Sequence, residues 1–108
     1  MYIQLCIYIS AMAMRFSWDP DKEAKNKAKD GLDFSFAEAV FGDPLRAIIF
    51  DRYEGGEERW HCVGAVAGGY RVLLVVHCYP DPDDDGLVGV IGLREATAHE
   101  RRRYEDGE

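Results

Sequence analysis

The stretch RWHCVGAVAGGYRVLLVVHC, residues 59–78, decides the fold. Two runs rich in β-branched, aromatic and aliphatic residues flank a glycine pair, and such residues favour the pleated backbone. Gly68 and Gly69 supply the positive φ angles that a tight hairpin needs, so the stretch reads as two antiparallel strands. Its register has two readings. A two-residue turn at Gly68 and Gly69 sets Trp60 opposite His77 and sends Arg59 and His61 to the other face. A three-residue loop that includes Tyr70 gathers Arg59, His61 and His77 on one face. Only the second arrangement builds a shared site. The first also parts Cys62 from Cys78, so no disulfide is expected between them.

Outward from the hairpin, LRAIIF at 45–50 and LVGVIGL at 87–93 extend it to a four-strand meander. Upstream, RFSW at 15–18 alternates polar and apolar residues like a short strand. DP at 19 and 20 then supplies an N-cap aspartate and a proline at the first helical position. That helix should run to about Asp30 and stop at Gly31. It aligns Lys22, Lys25 or Asn26, and Lys29 on one side, with Ala24, Ala28 and Leu32 as a modest buried seam. SFAE at 35–38 and TAHE at 97–100 both read as capping boxes, in which a hydroxyl and a glutamate each satisfy one free amide at a helix start. GDP at 42–44 ends the helix opened by the first box; the second opens the last helix. The expected class is therefore α+β: an antiparallel sheet of about four or five strands, two N-terminal helices and a C-terminal helix.

A chain of 108 residues supports one core rather than two. With 47% hydrophobic and 31% charged residues it reads as an ordinary globular protein. The net charge of −7 argues against a protein that coats nucleic acid non-specifically, although a local cationic patch still acts at contact distance. The charge is segregated: acid in DPDDD at 81–85, base in Lys22, Lys25, Lys27 and Lys29, and again in Arg94, Arg101, Arg102 and Arg103. Cys6, Cys62 and Cys78 form an odd set with no metal-like spacing and no C-x-x-C pair, which fits a reduced, cytoplasmic setting without a metal or cofactor. Residues 1–13, MYIQLCIYISAMA, are apolar and end in an A-x-A-like triplet. No Lys or Arg precedes Arg15, so the basic region of a secretory signal is missing, and the run is too short to span a bilayer as a helix. The segment reads as an upstream extension, with Met12 or Met14 as the natural start, or as an extra edge strand. Residues 14–108 then form the single domain.

In order and spacing, FSWDPDKEAKNKAKDG, FSFAEAVFGDP, EERWHCVG, VLLVVH and REATAHERRRYE resemble the BrnT toxin family across nearly everything from Met14 onward. The resemblance implies a RelE-like fold and a type II toxin paired with a BrnA-like ribbon-helix-helix antitoxin. It also implies metal-independent ribonuclease activity that arrests translation. Partners would be RNA and the antitoxin, the latter in a toxin–antitoxin hetero-oligomer, with DNA reached only through the antitoxin and no membrane. Cleavage by an RNA 2′-hydroxyl needs a proton acceptor, a proton donor, and cations where charge builds on phosphorus. Arg94, His77, Arg59 and Arg101 match family positions and are the catalytic candidates. Lys29, Tyr104 and Arg102 are candidates for RNA contact. His61 is a second candidate for proton transfer that does not match the family pattern, and His99 sits in the cap region.

Each residue also has an ordinary structural use. His77 suits a hydrogen-bonded core position, Arg59 a pair with Glu57 or Glu58, Arg101 a pair with Glu105, and Tyr104 closure of the core. Thr97 and Glu100 are already occupied in starting a helix. Leu87, Gly89 and Gly92 stand where the family commonly carries arginines and a serine, and Asp30 where it carries a histidine. An alternative reading is therefore an interaction module that retains antitoxin binding and a co-regulatory role with weakened catalysis.

Overall fold

The computed structural model describes residues 14–107; the apolar segment 1–13 lies outside the described residues. The elements are β1 (Arg15–Ser17), α1 (Pro20–Asp30), α2 (Phe36–Phe41), β2 (Ala47–Glu54), β3 (Glu57–Val66), β4 (Arg71–Cys78), β5 (Leu87–Glu95) and α3 (Ala98–Glu105). The five strands form one sheet in the order β1-β5-β4-β3-β2. Strands β2 to β5 are an antiparallel meander, but β1 runs parallel to β5, with Phe16 beside Val88. The sheet is thus mixed, not antiparallel as expected. Helices α1 and α2 and strands β2 to β4 intervene between β1 and β5, and a connection that long permits parallel pairing.

Local signals placed most element ends. The Asp19 side chain accepts from the Asp21 amide at 2.9 Å, Pro20 opens α1, and Gly31 closes it at φ 74°. Two expectations fail nearby. No residue of α1 is buried, so Ala24 and Ala28 form no seam; the helix is docked by polar side chains. Asn26 lies against β5, donating to Leu93 O at 2.9 Å and accepting from Leu93 N at 3.1 Å, while Glu23 accepts from Phe34 N at 2.9 Å. Ser35 makes no cap bond. Its hydroxyl donates to Asp33 instead, and Asp33 also takes the Ser35 amide, so an aspartate turn two residues earlier displaces the expected box.

The turn between β3 and β4 spans Ala67 to Tyr70, with Gly68 and Gly69 at its centre, and it keeps Trp60 opposite His77. The first of the two register readings therefore holds. Because facing residues share a face, the sheet has two distinct sides. One side carries Cys62, Leu73, Val75, His77, Val90 and Leu93 against Leu32, Phe34 and α2. A side chain at Gly64 would meet Val40 O at 2.6 Å, which shows how closely α2 approaches. The other side carries Val63, Val72 and Leu74, closed by Tyr104 of α3. Asp43 ties the sides together: it accepts from Ala65 N at 2.8 Å, from Leu45 N at 2.9 Å and from the Tyr104 hydroxyl.

His77 is wholly buried in an aromatic row that runs Phe16, Phe41, His77, Tyr79, Trp60, Phe50, Tyr53, with neighbouring ring centroids 5.0 to 6.0 Å apart. Its Nδ1 lies 3.4 Å from Val75 O and its Nε2 3.2 Å from the Tyr79 hydroxyl, which suits a neutral ring. Burial pushes its pKa down to about 4, against the Val75 carbonyl, which raises it.

Two predictions follow from these contacts. Asn26→Ala removes both partners of the Leu93 backbone and should cost about 2–3 kcal/mol in urea unfolding. His77 binds its proton more weakly folded than unfolded, so its stabilisation is complete above about pH 6.5 and is lost as pH falls through about 4. His77→Phe, which keeps an aromatic ring, should flatten the stability profile across that window; a profile identical to wild type contradicts a buried neutral imidazole.

Candidate active site

The sheet face opposite His77 carries the chemically useful groups. His61 stands opposite Val76 and Ile49 on this face, and Arg94 stands opposite Leu74. Between the β2–β3 end of the sheet and α3 lies a cleft of about 200 Å³, with Ala47, Ile49, Val63 and Leu74 as apolar lining and Asp51, His61, Glu100, Arg103 and Tyr104 as polar lining. The register of β2 against β3 shifts between Phe50 and Arg52, leaving Asp51 as an extra residue. Such a bulge re-aims a side chain, and here it brings Asp51 Oδ2 within 3.4 Å of His61 Nε2.

The rim is built by the start of α3. Thr97 Oγ1 accepts from Glu100 N at 3.1 Å and Glu100 Oε1 accepts from Thr97 N at 2.9 Å, so the expected capping box forms. The same carboxylate grips Arg94 with two bonds, Nη1 to Oε1 at 2.8 Å and Nη2 to Oε2 at 3.1 Å. The Arg94 bonds, opposed by partial burial and aided by the Thr97 amide, hold the Glu100 pKa down to about 2. Reciprocally, the Arg94 pKa is raised, first by Glu100. At neutral pH this pair is an ionised, bidentate clamp whose guanidinium is about one-third exposed.

The structure separates the expected site residues. Arg94 stands at the rim. His77, expected to transfer protons, points into the core on the opposite face, because the register puts it beside Trp60 rather than in line with His61. Arg59 shares the His61 face but lines a separate depression with Trp18, Lys22, Cys78 and Gly89. There it is bonded to Glu57 and lies 3.6 Å from Glu54, and its Nε is buried without a hydrogen-bond partner. Arg101 sits 3.7 Å from Glu105 rather than in the cleft. Tyr104 lines the cleft, but its hydroxyl is committed to Asp43; burial, then Asp43, pushes its pKa up to about 12. Lys29 and Arg102 are exposed on their helices.

Of the arginine triplet, Arg103 enters the cleft, three residues past Glu100 and therefore on the same helical side. Asp51 and Arg103 are the cleft residues that sequence patterns did not place there; by sequence His61 is a second proton-transfer candidate and Glu100 only part of a cap. Helical spacing from the Thr97 cap could have singled out Arg103; nothing local announced the bulge at Asp51. Gly92 faces Val76 on this same side, outside the cleft lining, and a side chain there would meet Asn26 Oδ1 at 3.7 Å and Val76 at 3.8 Å. No residue of 81–85 lines the cleft; within that loop Asp84 pairs with Arg15.

The cleft joins a histidine–aspartate pair to Arg103 beneath a capped helix, with Arg94 clamped to the lining Glu100, on a small α+β domain. A family profile described as "Ribonuclease toxin, BrnT, of type II toxin-antitoxin system" matches residues 18–100. The chain belongs to the BrnT family, and so to the ribonuclease toxins of type II toxin–antitoxin systems, whose members are partnered by an antitoxin. No curated protein matches it. Among the described residues, no helix is long and apolar enough to cross a membrane.

Tyr104→Phe separates anchoring from RNA contact. Loss of one bond to Asp43, which keeps its two amide donors, should lower stability by about 1 kcal/mol in thermal or urea unfolding. RNA cleavage per folded molecule should stay within about two-fold of wild type, because the ring that lines the cleft remains.

Proposed function

We propose that residues 14–108 form a RelE-like toxin domain that cleaves RNA without a metal, arrests translation in the cytoplasm, and is neutralised by a BrnA-like ribbon-helix-helix antitoxin. The observation that carries this reading is the meeting of His61, Asp51, Glu100 and Arg103 around one cleft, with Arg94 clamped to Glu100 beside it. In this mechanism His61, oriented by Asp51, accepts the proton of a ribose 2′-hydroxyl. The 2′ oxygen attacks the adjacent phosphorus, and the P–O5′ bond breaks as the imidazolium returns its proton to O5′. The products are a 2′,3′-cyclic phosphate and a 5′-hydroxyl. Arg103 and the exposed side of the Arg94 guanidinium lie where negative charge builds on the phosphoryl oxygens, and these cations take the place a metal would fill. Glu100 is held too acidic to act as a base near neutrality; it positions Arg94. Lys29, Arg102 and Arg59 assist by contacting the RNA backbone outside the cleft.

A second reading, an antitoxin-binding module with weakened catalysis and a co-regulatory role, is favoured by Gly89 and Gly92, which bring no side chain to β5 where the resemblance implies arginines and a serine. The two separate on RNA itself. Purified toxin incubated with a defined RNA in excess EDTA should yield cyclic-phosphate ends at the rate seen without EDTA, and a 2′-deoxy substitution at the cleaved position should block the cut. His61→Ala and Arg103→Ala should each slow cleavage by about 10²-fold or more, whereas His77→Phe should not. Intact RNA with wild-type protein defeats the enzymatic reading, and full activity of His61→Ala defeats the assignment of the base.

A further inference from the structure

The depression that holds Arg59 adjoins the cleft on the same face of the sheet. Arg59 stands two residues from His61 along β3, a step of about 7 Å that one nucleotide of extended RNA bridges. Cys78 pairs with Gly89, and Gly89 with Ser17, so β4 and β5 form a floor between Arg59 on one side and Trp18 on the other. The space is about 380 Å³, within the roughly 300–1,000 Å³ of small-ligand sites. Gly89 keeps the floor low, because a Cβ there would lie 2.7 Å from Cys78 Sγ.

The walls differ in chemistry. Trp18 is held by an edge contact to Phe34, with centroids 6.1 Å apart, yet 38% of it stays exposed, and an exposed indole is a surface on which a base stacks. Across the floor, Glu57 is bonded to Arg59, which first of all keeps that carboxylate ionised. The charge of Lys22 reaches both Glu57 and Cys78. Lys22 and Arg59 are matched by Asp19 and Glu57 in the lining, and Glu54 lies 3.6 Å from Arg59 Nε. So balanced a site gives a phosphate little net attraction; it suits a neutral planar group that both donates and accepts. Guanine alone among the four bases joins two adjacent donors, N1–H and the N2 amine, to two acceptors, O6 and N7. We infer that this depression is a base subsite, in which a guanine next to the cleaved bond stacks on Trp18, donates N1–H and N2–H to Glu57, and accepts from Lys22. Arg59 holds the carboxylate in place. This rests on RNA as the substrate of the neighbouring cleft, and it adds the nucleotide preference that the cleft residues do not supply.

The test uses the full chain and short 2′-fluoro oligouridylates that carry one guanine, inosine or adenine. These cannot be cut, so anisotropy reads binding apart from cleavage. Wild type should bind the guanine oligonucleotide about ten-fold more tightly than the inosine or adenine one, since inosine differs only by lacking the N2 amine. Glu57→Gln should bring guanine down to the inosine level while inosine binding stays within about two-fold; a carboxylate with a merely structural role would shift both alike. Trp18→Ala should weaken all three by about five-fold or more, and Trp18→Phe, which keeps a stacking face, should restore them even if the alanine variant unfolds. Equal binding of guanine and inosine by wild type overturns the inference, as does no binding of the guanine oligonucleotide or a guanine preference that survives Glu57→Gln. A guanine preference in a protein that leaves RNA intact supports the subsite while the enzymatic reading falls. Cleavage by a protein that binds all bases alike removes the subsite alone.

Discussion

The rest of the structure depends on one side-chain amide standing in for a missing strand. Among the described residues, β1 pairs with residues 87–89 of β5 and no strand neighbours the edge of β5 beyond Gly89. Asn26 fills part of that gap, giving Leu93 both a donor and an acceptor as an adjacent strand would, and it also donates to Leu32 O at 3.1 Å. An asparagine is suited to this because its carboxamide repeats the chemistry of a peptide group. The contact is the main attachment of a helix that buries no residue, and it fixes the strand immediately before Arg94. The aim of the guanidinium thus begins on a helix that the hydrophobic pattern alone would not attach.

The second constraint couples folding to chemistry. Glu100 completes the cap of α3 and clamps Arg94 with the same carboxylate. Helix initiation and the position of a cation at the cleft rim are therefore one event, and the helix cannot fray at its first turn without releasing the arginine. At the other end Tyr104 reaches Asp43, which is also bonded to Ala65 of β3. A helix of eight residues with no fully buried side chain is held over the cleft by polar contacts at both ends. Such a short helix has little stability of its own, so these contacts carry its placement.

What was legible in the sequence follows the range of the interactions. Asp19-Pro20, Gly31 and Thr97-x-x-Glu100 act within one turn of chain, and each ended or began an element where it was read. The Ser35 box failed to another short-range competitor, Asp33. The parallel placement of β1 was not legible because its partner lies 72 residues away. The site suffered more than the fold. Arg94 was readable because it precedes a recognisable cap, whereas Asp51 reaches His61 only through a bulge, and a bulge depends on both strands at once. The glycine pair left two registers open, and that choice of face moved His77 from the cleft to the core.

His77 nonetheless connects the two sides of the problem. Its burial between Phe41 and Tyr79 requires a neutral ring, and the ring is the hinge of a row that starts in the core at Phe16 and surfaces at Tyr53. A leucine would fill the space but would leave the Tyr79 hydroxyl without the Nε2 acceptor that holds Tyr79 against Trp60. The histidine at the end of an apolar strand therefore shapes the exposed aromatic edge from within. The opposite face is left to His61, whose neighbours are a carboxylate and the apolar lining of an open cleft. One sheet separates a histidine kept neutral for packing from a histidine that stands beside Asp51 in the cleft.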